Sequence, residues 1–260
     1  MASITTTAHC GAIAFELASP QNAVDTVLAS IVNPPSDGMH VHFANAYSVA
    51  LAEQDADLAK TFAAGTCFPD GKPVIWAIRG LHRSLAQYAH QVRGPSFFEE
   101  LMRQGLSKGV RHYFLGSTPE TLEKLSTQLA HRIPGLQIAG SSSPPFRPVS
   151  DDEWREELKR VEACGADVVW IGLGTPKQDL IAAKLNGFMP STYICVGAAF
   201  DFSAGNLRHA PAWMQQAGLE WMYRFAQEPR RLWRRYLVGN SAFVAAVARQ
   251  LLSRFSSARS

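Results

Sequence analysis

The sequence has little of what marks several large classes of protein. Its four cysteines are widely spaced without a Cys-x-x-Cys pair, so we expect free thiols in a reducing compartment rather than a disulfide framework. No apolar run reaches about 18 residues, so no membrane-spanning helix is expected. The N-terminus lacks a basic segment followed by an apolar run, which argues against a secretory signal peptide. We therefore expect a protein that is soluble or lies on a membrane surface.

Motifs for metal and dinucleotide chemistry are also missing. There is no His-Glu-x-x-His, Walker loop or zinc-ligand spacing, and the eight histidines are scattered. Asp55-Ala-Asp57 could hold Mg²⁺, but it lacks the preceding apolar strand of such a site, so a solvated helical turn is the preferred interpretation. We expect no bound metal ion and no cofactor.

Lysine and acidic residues are scarce near the C-terminus. Residues 203–260 contain nine arginines, no lysine and two glutamates, a net charge of +7, whereas residues 1–202 carry 16 basic and 20 acidic side chains, a net charge of −4. A basic tail on a mildly acidic body indicates an anionic partner: the phosphates of a ligand, a membrane or a nucleic acid. Nucleic acid is the least favoured of the three, because no nucleic-acid-binding module accompanies the arginines.

Apolar strands alternate with helical segments along most of the chain, and this order predicts an α/β fold. We expect a body over residues 1–205, with a Rossmann-like parallel sheet covered by helices on both faces. A helical C-terminal appendage is expected over residues 206–260. Strands are predicted over residues 12–18, 39–43, 112–115, 136–139, 167–171 and 193–196, and a continuous helical pattern covers residues 47–64.

The last predicted helix, over residues 241–255, is amphipathic. Phe243, Val247, Leu251 and Phe255 recur every four residues, and Arg249 lies off this apolar stripe. Such a helix could lie on a membrane, or it could pack on the body or on a partner subunit.

Two turns are candidates for chemistry. Pro69-Asp70-Gly71 can hold a carboxylate at the carboxyl end of a strand, where Asp70 could act as a general base; Pro-Asp-Gly is also a common turn sequence with only local hydrogen bonds. The segment GLGTPKQD over residues 172–179 exposes backbone N–H groups that suit phosphate. It lacks the third glycine of a dinucleotide fingerprint, which disfavours a dehydrogenase. Gln178 could bind a sugar or a base, or could be a surface residue in the first turn of a helix.

Arginines crowd the segment that leads into the last helix. Arg224, Arg231 and Arg234 are spaced by seven and three residues, which places them near one helical face if the helix continues past Pro229. Proline at that position is expected to break or kink the helix. A guanidinium is best satisfied by phosphate or carboxylate, while a solvated basic face or salt bridges to the acidic body remain alternatives.

An ordered series of motifs extends over roughly residues 40–236. It comprises Asn45, Pro69-Asp70-Gly71, Gly116-Ser-Thr-Pro-Glu, Gly174-Thr-Pro-Lys-Gln178, Val196-Gly-Ala-Ala-Phe-Asp201, Gly205 with Arg208, Ala210 and Pro211, Gly218-Leu-Glu220-Trp221, Arg224, Glu228-Pro229, Arg231 and Arg234-Arg235-Tyr236. The series is far more specific than any one of its members, and it resembles the WecG/TagA/CpsF family of bacterial glycosyltransferases.

The resemblance implies an inverting, metal-independent transfer of a hexose from a UDP-sugar to a polyprenyl-diphosphate-linked saccharide. It also implies that the enzyme is peripherally attached to the cytoplasmic face of the membrane and takes part in assembly of a surface or exported polysaccharide. Asp70 falls on the general base of the family. Whether the chain forms a homo-oligomer stays open. The implied donor-binding residues are Asn45, Gly116, Gly174, Gln178, Gly197, Arg224, Arg231 and Arg234, and the implied acceptor or accessory residues are Arg93 and Arg208.

Two positions depart from the pattern of the family. Phe43 stands where members often have threonine, so a hydroxyl contact near the base is missing or supplied elsewhere. Gln91-Val-Arg93-Gly94 replaces an Arg-Val-x-Gly pattern, which makes Arg93 a candidate substitute for the displaced arginine. Both departures bear on the identity of the sugar more than on the type of reaction. The alternative function is a non-catalytic module that binds a nucleotide and an anionic membrane.

Overall fold

The chain folds around a parallel β-sheet. The structure is a computed structural model that describes residues 6–257; the side chains of residues 231, 234, 237, 238 and 254–257 are outside this description. The strands are β1 Thr6–Cys10, β2 Ile13–Leu17, β3 Met39–Ala44, β4 Thr66–Pro69, β5 Arg111–Gly116, β6 Gln137–Ser142, β7 Val168–Gly172 and β8 Thr192–Cys195. Over the described residues, β3 to β8 form one parallel sheet in the order β4-β3-β8-β7-β5-β6, and β1 pairs with β2 in an antiparallel ribbon.

Helices cover both faces of this sheet. One face packs against α1, α5, α6 and α9, and the other against the remaining helices of the body together with the β1–β2 ribbon. The helices are α1 Pro20–Val32, α2 Ala46–Ala52, α3 Ala56–Ala64, α4 Lys72–Leu81, α5 Gly94–Gly105, α6 Pro119–Arg132, α7 Asp151–Ala163, α8 Lys177–Phe188, α9 Ala199–Ser203, α10 Ala212–Gln216, α11 Glu220–Gln227 and α12 Pro229–Ser257.

The apolar strand sequences follow from this double covering. In β7, Val168 and Trp170 enter the core beneath α1 and α5, while Val169 and Ile171 enter the core beneath α7 and α8. Successive side chains of a strand point to opposite faces, so a strand covered on both sides must be apolar at every position. The predicted α/β class, with a Rossmann-like parallel sheet and a helical C-terminal part, is confirmed.

The sequence predicted the fold class correctly but did not predict every strand. The segments predicted over residues 39–43, 112–115, 136–139, 167–171 and 193–196 correspond to β3, β5, β6, β7 and β8, and the segment over residues 12–18 is β2. The sequence did not predict β1 or β4. β4 has only four residues and ends at Pro69, so its apolar pattern is too short to stand out.

The continuous helix expected over residues 47–64 is instead two helices. The Asp55 side chain accepts hydrogen bonds from the backbone N–H groups of Asp57 and Leu58, which caps α3 and ends the helical path after α2. Asp57 forms an exposed pair with Lys60. The two carboxylates that had suggested a metal site therefore have structural partners.

The C-terminal arginine-rich segment is also divided. α11 ends at Gln227 and Pro229 begins α12, which agrees with the helix break predicted at this proline. α12 then crosses α2 closely at Gly239, where an added Cβ would lie 2.7 Å from Cδ2 of Tyr47. Only glycine allows the two helices to approach so closely at this point.

The apolar stripe of the last helix packs on the body. Phe243 is buried, and Val247 and Leu251 pack beside it against the cluster formed by α2, α4 and the β1–β2 ribbon. Gln250 adds hydrogen bonds to the backbone of Gly11 and His9. None of the helices in the described part of the chain is long and apolar enough to cross a bilayer. The division at residue 205, between α9 and α10, stays a prediction.

Candidate active site

The predicted site residues follow the strands at one edge of the sheet. Asn45, Asp70 and Gly197 come directly or almost directly after β3, β4 and β8, and Gly116 and Gly174 end or follow β5 and β7. The carboxyl ends of parallel strands share one edge of a sheet, and ligands bind there in open α/β folds. The topology therefore gathers segments that are far apart in the sequence.

The backbone of the sheet fixes the turn that bears Asp70. The N–H of Asp70 donates to the carbonyl of Ala44 at 2.9 Å, which extends the β3–β4 pairing to the turn itself. The N–H of Val92 donates to the carbonyl of Pro69, also at 2.9 Å. Asn45 caps α2 next to it, because its side-chain oxygen accepts from the N–H groups of Tyr47 and Ser48.

The C-terminal helices α10, α11 and α12, which we call the cover, lie over this turn and enclose a pocket of about 620 Å³. Asn45 and Asp70 line its floor, and residues from α11 and α12 line its roof. The charged and polar groups at this end of the pocket, which we call the polar end, are Asn45, Asp70, Lys72, Arg93, Glu220, Arg224 and Arg235.

Arg93 joins the cover to the body. Its Nη1 donates to Oε1 of Gln215 at 2.8 Å, and its Nη2 donates to Oε1 of Glu220 at 2.5 Å. Both groups of the pair are about three-quarters shielded from solvent, so the ion pair is screened less than a surface pair. Arg93 is thus occupied by two side chains of the cover, and its predicted contact to substrate stays a prediction.

The electrostatics of the polar end favour a proton acceptor at Asp70. Burial, followed by the negative charge of Glu220, raises the pKa of the Asp70 carboxyl to about 6, against the opposing influence of Arg93, Arg224 and Arg235. A carboxylate with a pKa near 6 is ionised at neutral pH and is more basic than an exposed aspartate. This is the range in which general bases work efficiently.

Two arginines face the pocket without carboxylate partners in the described part of the chain. Arg224 lies over the ring of Phe202, and its buried Nε has no hydrogen-bond partner among the described residues. Arg235 lies over the ring of Tyr47, and burial lowers its pKa. A buried N–H without a partner costs free energy, so an anionic ligand is the expected partner of Arg224.

Arg235 lines the pocket, and the spacing argument missed it. That argument extended the helical face of Arg224 past Pro229 and so selected Arg231 and Arg234. The side chains of these two residues lie outside the described part of the structure. Because Pro229 starts a new helix, the phase of α11 says nothing about α12. No local pattern distinguishes Arg235 from its neighbours, because its place in the pocket depends on how α12 packs on α2.

The glycine-bearing turns lie at the same edge of the sheet, but Gly116, Gly174, Gln178 and Gly197 do not line the pocket. Gly116 is required by packing, because a Cβ there would lie 2.7 Å from the carbonyl oxygen of Gly172. Gln178 is buried, and its Oε1 accepts from the N–H of Gly174 at 3.0 Å. Gln178 is therefore not on the surface and one end of its amide holds the turn, while its predicted contact to a sugar or a base stays a prediction. Gly197 lies against this side chain.

The remaining predicted positions lie apart from the pocket. The side chain of Arg208 is exposed, and its backbone bonds to Gln227. Phe43 is buried, with its ring centroid 4.8 Å from that of Phe97. The position of the family threonine is therefore part of the apolar core in this chain, and it offers no hydroxyl to a ligand.

A buried polar chain runs under the same edge and was not expected from the sequence. His40 Nδ1 and His42 Nε2 lie 2.7 Å apart, and His42 Nδ1 lies 2.8 Å from Oδ1 of Asp179. His42, Asp179 and Cys195 are close enough to hold a metal ion together. Both ring nitrogens of His42 already have protein partners, and Cys195 Sγ donates to the carbonyl of Gln178, so these groups serve to anchor α8.

Fold and site together define a class of protein. It is an α/β protein with a pocket at the carboxyl edge of a parallel sheet, where a carboxylate with a raised pKa lies beside arginines. The sequence model of the Glycosyl transferase WecG/TagA/CpsF family matches residues 9–257. The chain belongs to this family and is a glycosyltransferase, which takes a sugar donor and an acceptor. The resemblance found over roughly residues 40–236 is confirmed and extends toward both ends.

Proposed function

We propose that this glycosyltransferase moves a hexose from a UDP-sugar to a polyprenyl-diphosphate-linked saccharide, with inversion at the anomeric carbon and without a metal ion. The observation that carries the proposal is the pairing of Asp70, with a pKa raised to about 6, with Arg224 and Arg235 in one pocket. Base and cations are the two elements that a displacement of UDP by a hydroxyl requires.

In the proposed reaction, Asp70 takes the proton from the acceptor hydroxyl while that oxygen bonds to the anomeric carbon. The bond from this carbon to the diphosphate oxygen breaks on the opposite side, which inverts the configuration and leaves UDP with an added negative charge. A positioned carboxylate contributes roughly 10²–10⁴-fold to such a step. Arg224 stabilises the charge that develops on the diphosphate of the leaving UDP.

The donor would lie along the edge of the sheet next to this pocket. Backbone N–H groups near Gly116, Gly174 and Gly197 follow three neighbouring strands there and can bind phosphate or ribose oxygens. Asn45 and the free end of the Gln178 amide are proposed contacts to the sugar nucleotide. Arg231, Arg234 and Arg208 keep their proposed roles from the family resemblance.

The proposed setting is the cytoplasmic face of the cell membrane, during synthesis of a surface or exported polysaccharide. Exposed apolar side chains on the cover, among them Trp213, Met222 and Val244, support a peripheral attachment to the membrane. Exposed Arg230 lies on the same segment and would favour anionic lipids.

A donor screen tests the proposal. The full chain is incubated with a panel of UDP-sugars and a polyprenyl-diphosphate-linked saccharide, with and without EDTA, and UDP release and the anomeric configuration of the product are measured. We expect acceptor-dependent UDP release that EDTA leaves unchanged, and a product of inverted configuration. Nucleotide binding without transfer to any acceptor would favour the non-catalytic module instead.

A further inference from the structure

The pocket above Asp70 continues beyond its polar end into an apolar groove. The walls of this second half are α4 on one side and α12 on the other, and both helices change from polar to apolar in the same direction. α4 runs from Lys72 to Trp76 and Ala77, and α12 runs from Arg235 through Asn240 to Val244, Ala248 and Leu251. We call this half the α4–α12 groove.

The groove is open to solvent although its lining is apolar. Trp76 is 55% exposed and Val244 is 63% exposed, while Phe243 forms the buried base between them. Contiguous exposed apolar surface joined to a site marks a place where a ligand or partner binds. From Arg235 to Leu251 the helix rises about 24 Å, so the groove can follow a long, extended chain.

The charges at the start of the groove indicate which head group such an extended ligand would carry. Lys72 and Arg235 are the first residues of α4 and α12 that line the pocket, and neither forms a salt bridge within the described part of the chain. Lys72 also lies in the first turn of α4, where the helix dipole favours an anion. Two cations followed by an apolar track complement an amphiphile with a compact, multiply charged head.

We propose that the α4–α12 groove binds the isoprenoid chain of a lipid diphosphate, with the diphosphate against Lys72 and Arg235. This inference deepens the proposed function and rests on it for the class of lipid. It places the lipid part of the acceptor between α4 and α12, so that its saccharide reaches the carboxylate of Asp70 from the side of the groove. The last helix then contributes a wall of the acceptor site.

The test measures binding of short prenyl diphosphates to the full chain by titration calorimetry, below their micelle concentrations. The probes are inorganic diphosphate and the diphosphates with one, two and three isoprenoid units. We expect roughly tenfold tighter binding for each added unit, well short of the roughly thousandfold that complete burial of five carbons would give. The groove is half open, which accounts for the smaller factor.

Two variants on α12 locate the effect. Val244→Asp places a charge in the groove, whereas Ala245→Asp places the same charge on the neighbouring exposed position that does not line the pocket. Both positions are exposed, so neither substitution disturbs the core. We expect Val244→Asp to abolish the dependence on chain length while leaving the affinity for inorganic diphosphate unchanged, and we expect Ala245→Asp to behave as wild type.

Three results would overturn the inference. Affinity that does not rise with chain length would leave the groove without an isoprenoid ligand, and equal effects of both variants would place the chain elsewhere. A Val244→Asp variant that changes only co-sedimentation with phosphatidylglycerol vesicles, or only the oligomeric state, would assign the groove to a bilayer or to a second copy. Groove-dependent binding of prenyl diphosphates by a protein that transfers no sugar would refute the proposed function and leave this inference standing.

Discussion

Asp70 is expected to destabilise the fold that positions it. Its pKa is about 6 in the folded protein and 3.8 in an ordinary setting, so ionisation above pH 6 is costlier in the folded state than in the unfolded chain. Because the folded-state pKa is the higher one, folding stability falls as the pH rises from about 4 to about 6. The difference corresponds to at most about 3 kcal/mol. Asp70→Asn should therefore raise the free energy of unfolding by up to about 3 kcal/mol at pH 8.

Denaturant unfolding of the ligand-free protein at pH 4 and pH 8 measures this effect. Asp37→Asn, on an exposed loop, is the control for the loss of one negative charge. The gain in Asp70→Asn should be largest at pH 8 and should nearly vanish at pH 4, where the carboxyl of the folded wild type is protonated. A variant less stable than wild type at pH 8, or a gain that does not change with pH, would refute the view that Asp70 is desolvated beneath the cover.

Three further predictions concern the cover. Arg224→Gln should weaken UDP binding by roughly tenfold to a hundredfold in titration calorimetry, because a charge-assisted hydrogen bond is lost. The control Arg230→Gln, at an exposed position, should bind UDP as wild type does, and equal losses in both variants would indicate a diffuse basic surface. Glu220→Gln removes a negative charge that raises the pKa of Asp70 and releases Arg93, so the acidic limb of the pH profile of kcat/KM should move to lower pH. An acidic limb that does not move would show that the titration of Asp70 does not control it. Truncation after residue 240 removes buried Phe243 and should lower unfolding stability by about 3 kcal/mol or more, together with vesicle binding; unchanged denaturation would show that the last helix does not pack on the body.

Sequence patterns predicted the parts of this molecule that depend on local chemistry. The apolar strands of the sheet are readable because both faces are covered, and the turn at Asp70 carries its own Pro and Gly. The helix break at Pro229 follows from the missing N–H of proline. These features need no knowledge of distant partners.

Features that depend on long-range packing were not predicted. Gln178 and Asp179 resemble surface residues of a first helical turn, but strand pairing brings His42 to Asp179 and buries both. Arg235 is one of four clustered arginines, and only the position of α12 on α2 turns it into the pocket. The Arg93–Glu220 pair joins residues separated by 127 positions, so neither side chain indicated its partner.

The turnover of Asp70→Asn tests the central claim most directly. With a UDP-sugar and a lipid-linked acceptor, kcat should fall by roughly a hundredfold or more, because the base that accepts the hydroxyl proton is lost. UDP affinity, measured on the same preparation, should be equal to that of wild type or tighter, since one negative charge beside the diphosphate is gone. Turnover at the wild-type rate by a variant that still binds UDP would contradict the assignment of Asp70 as the general base.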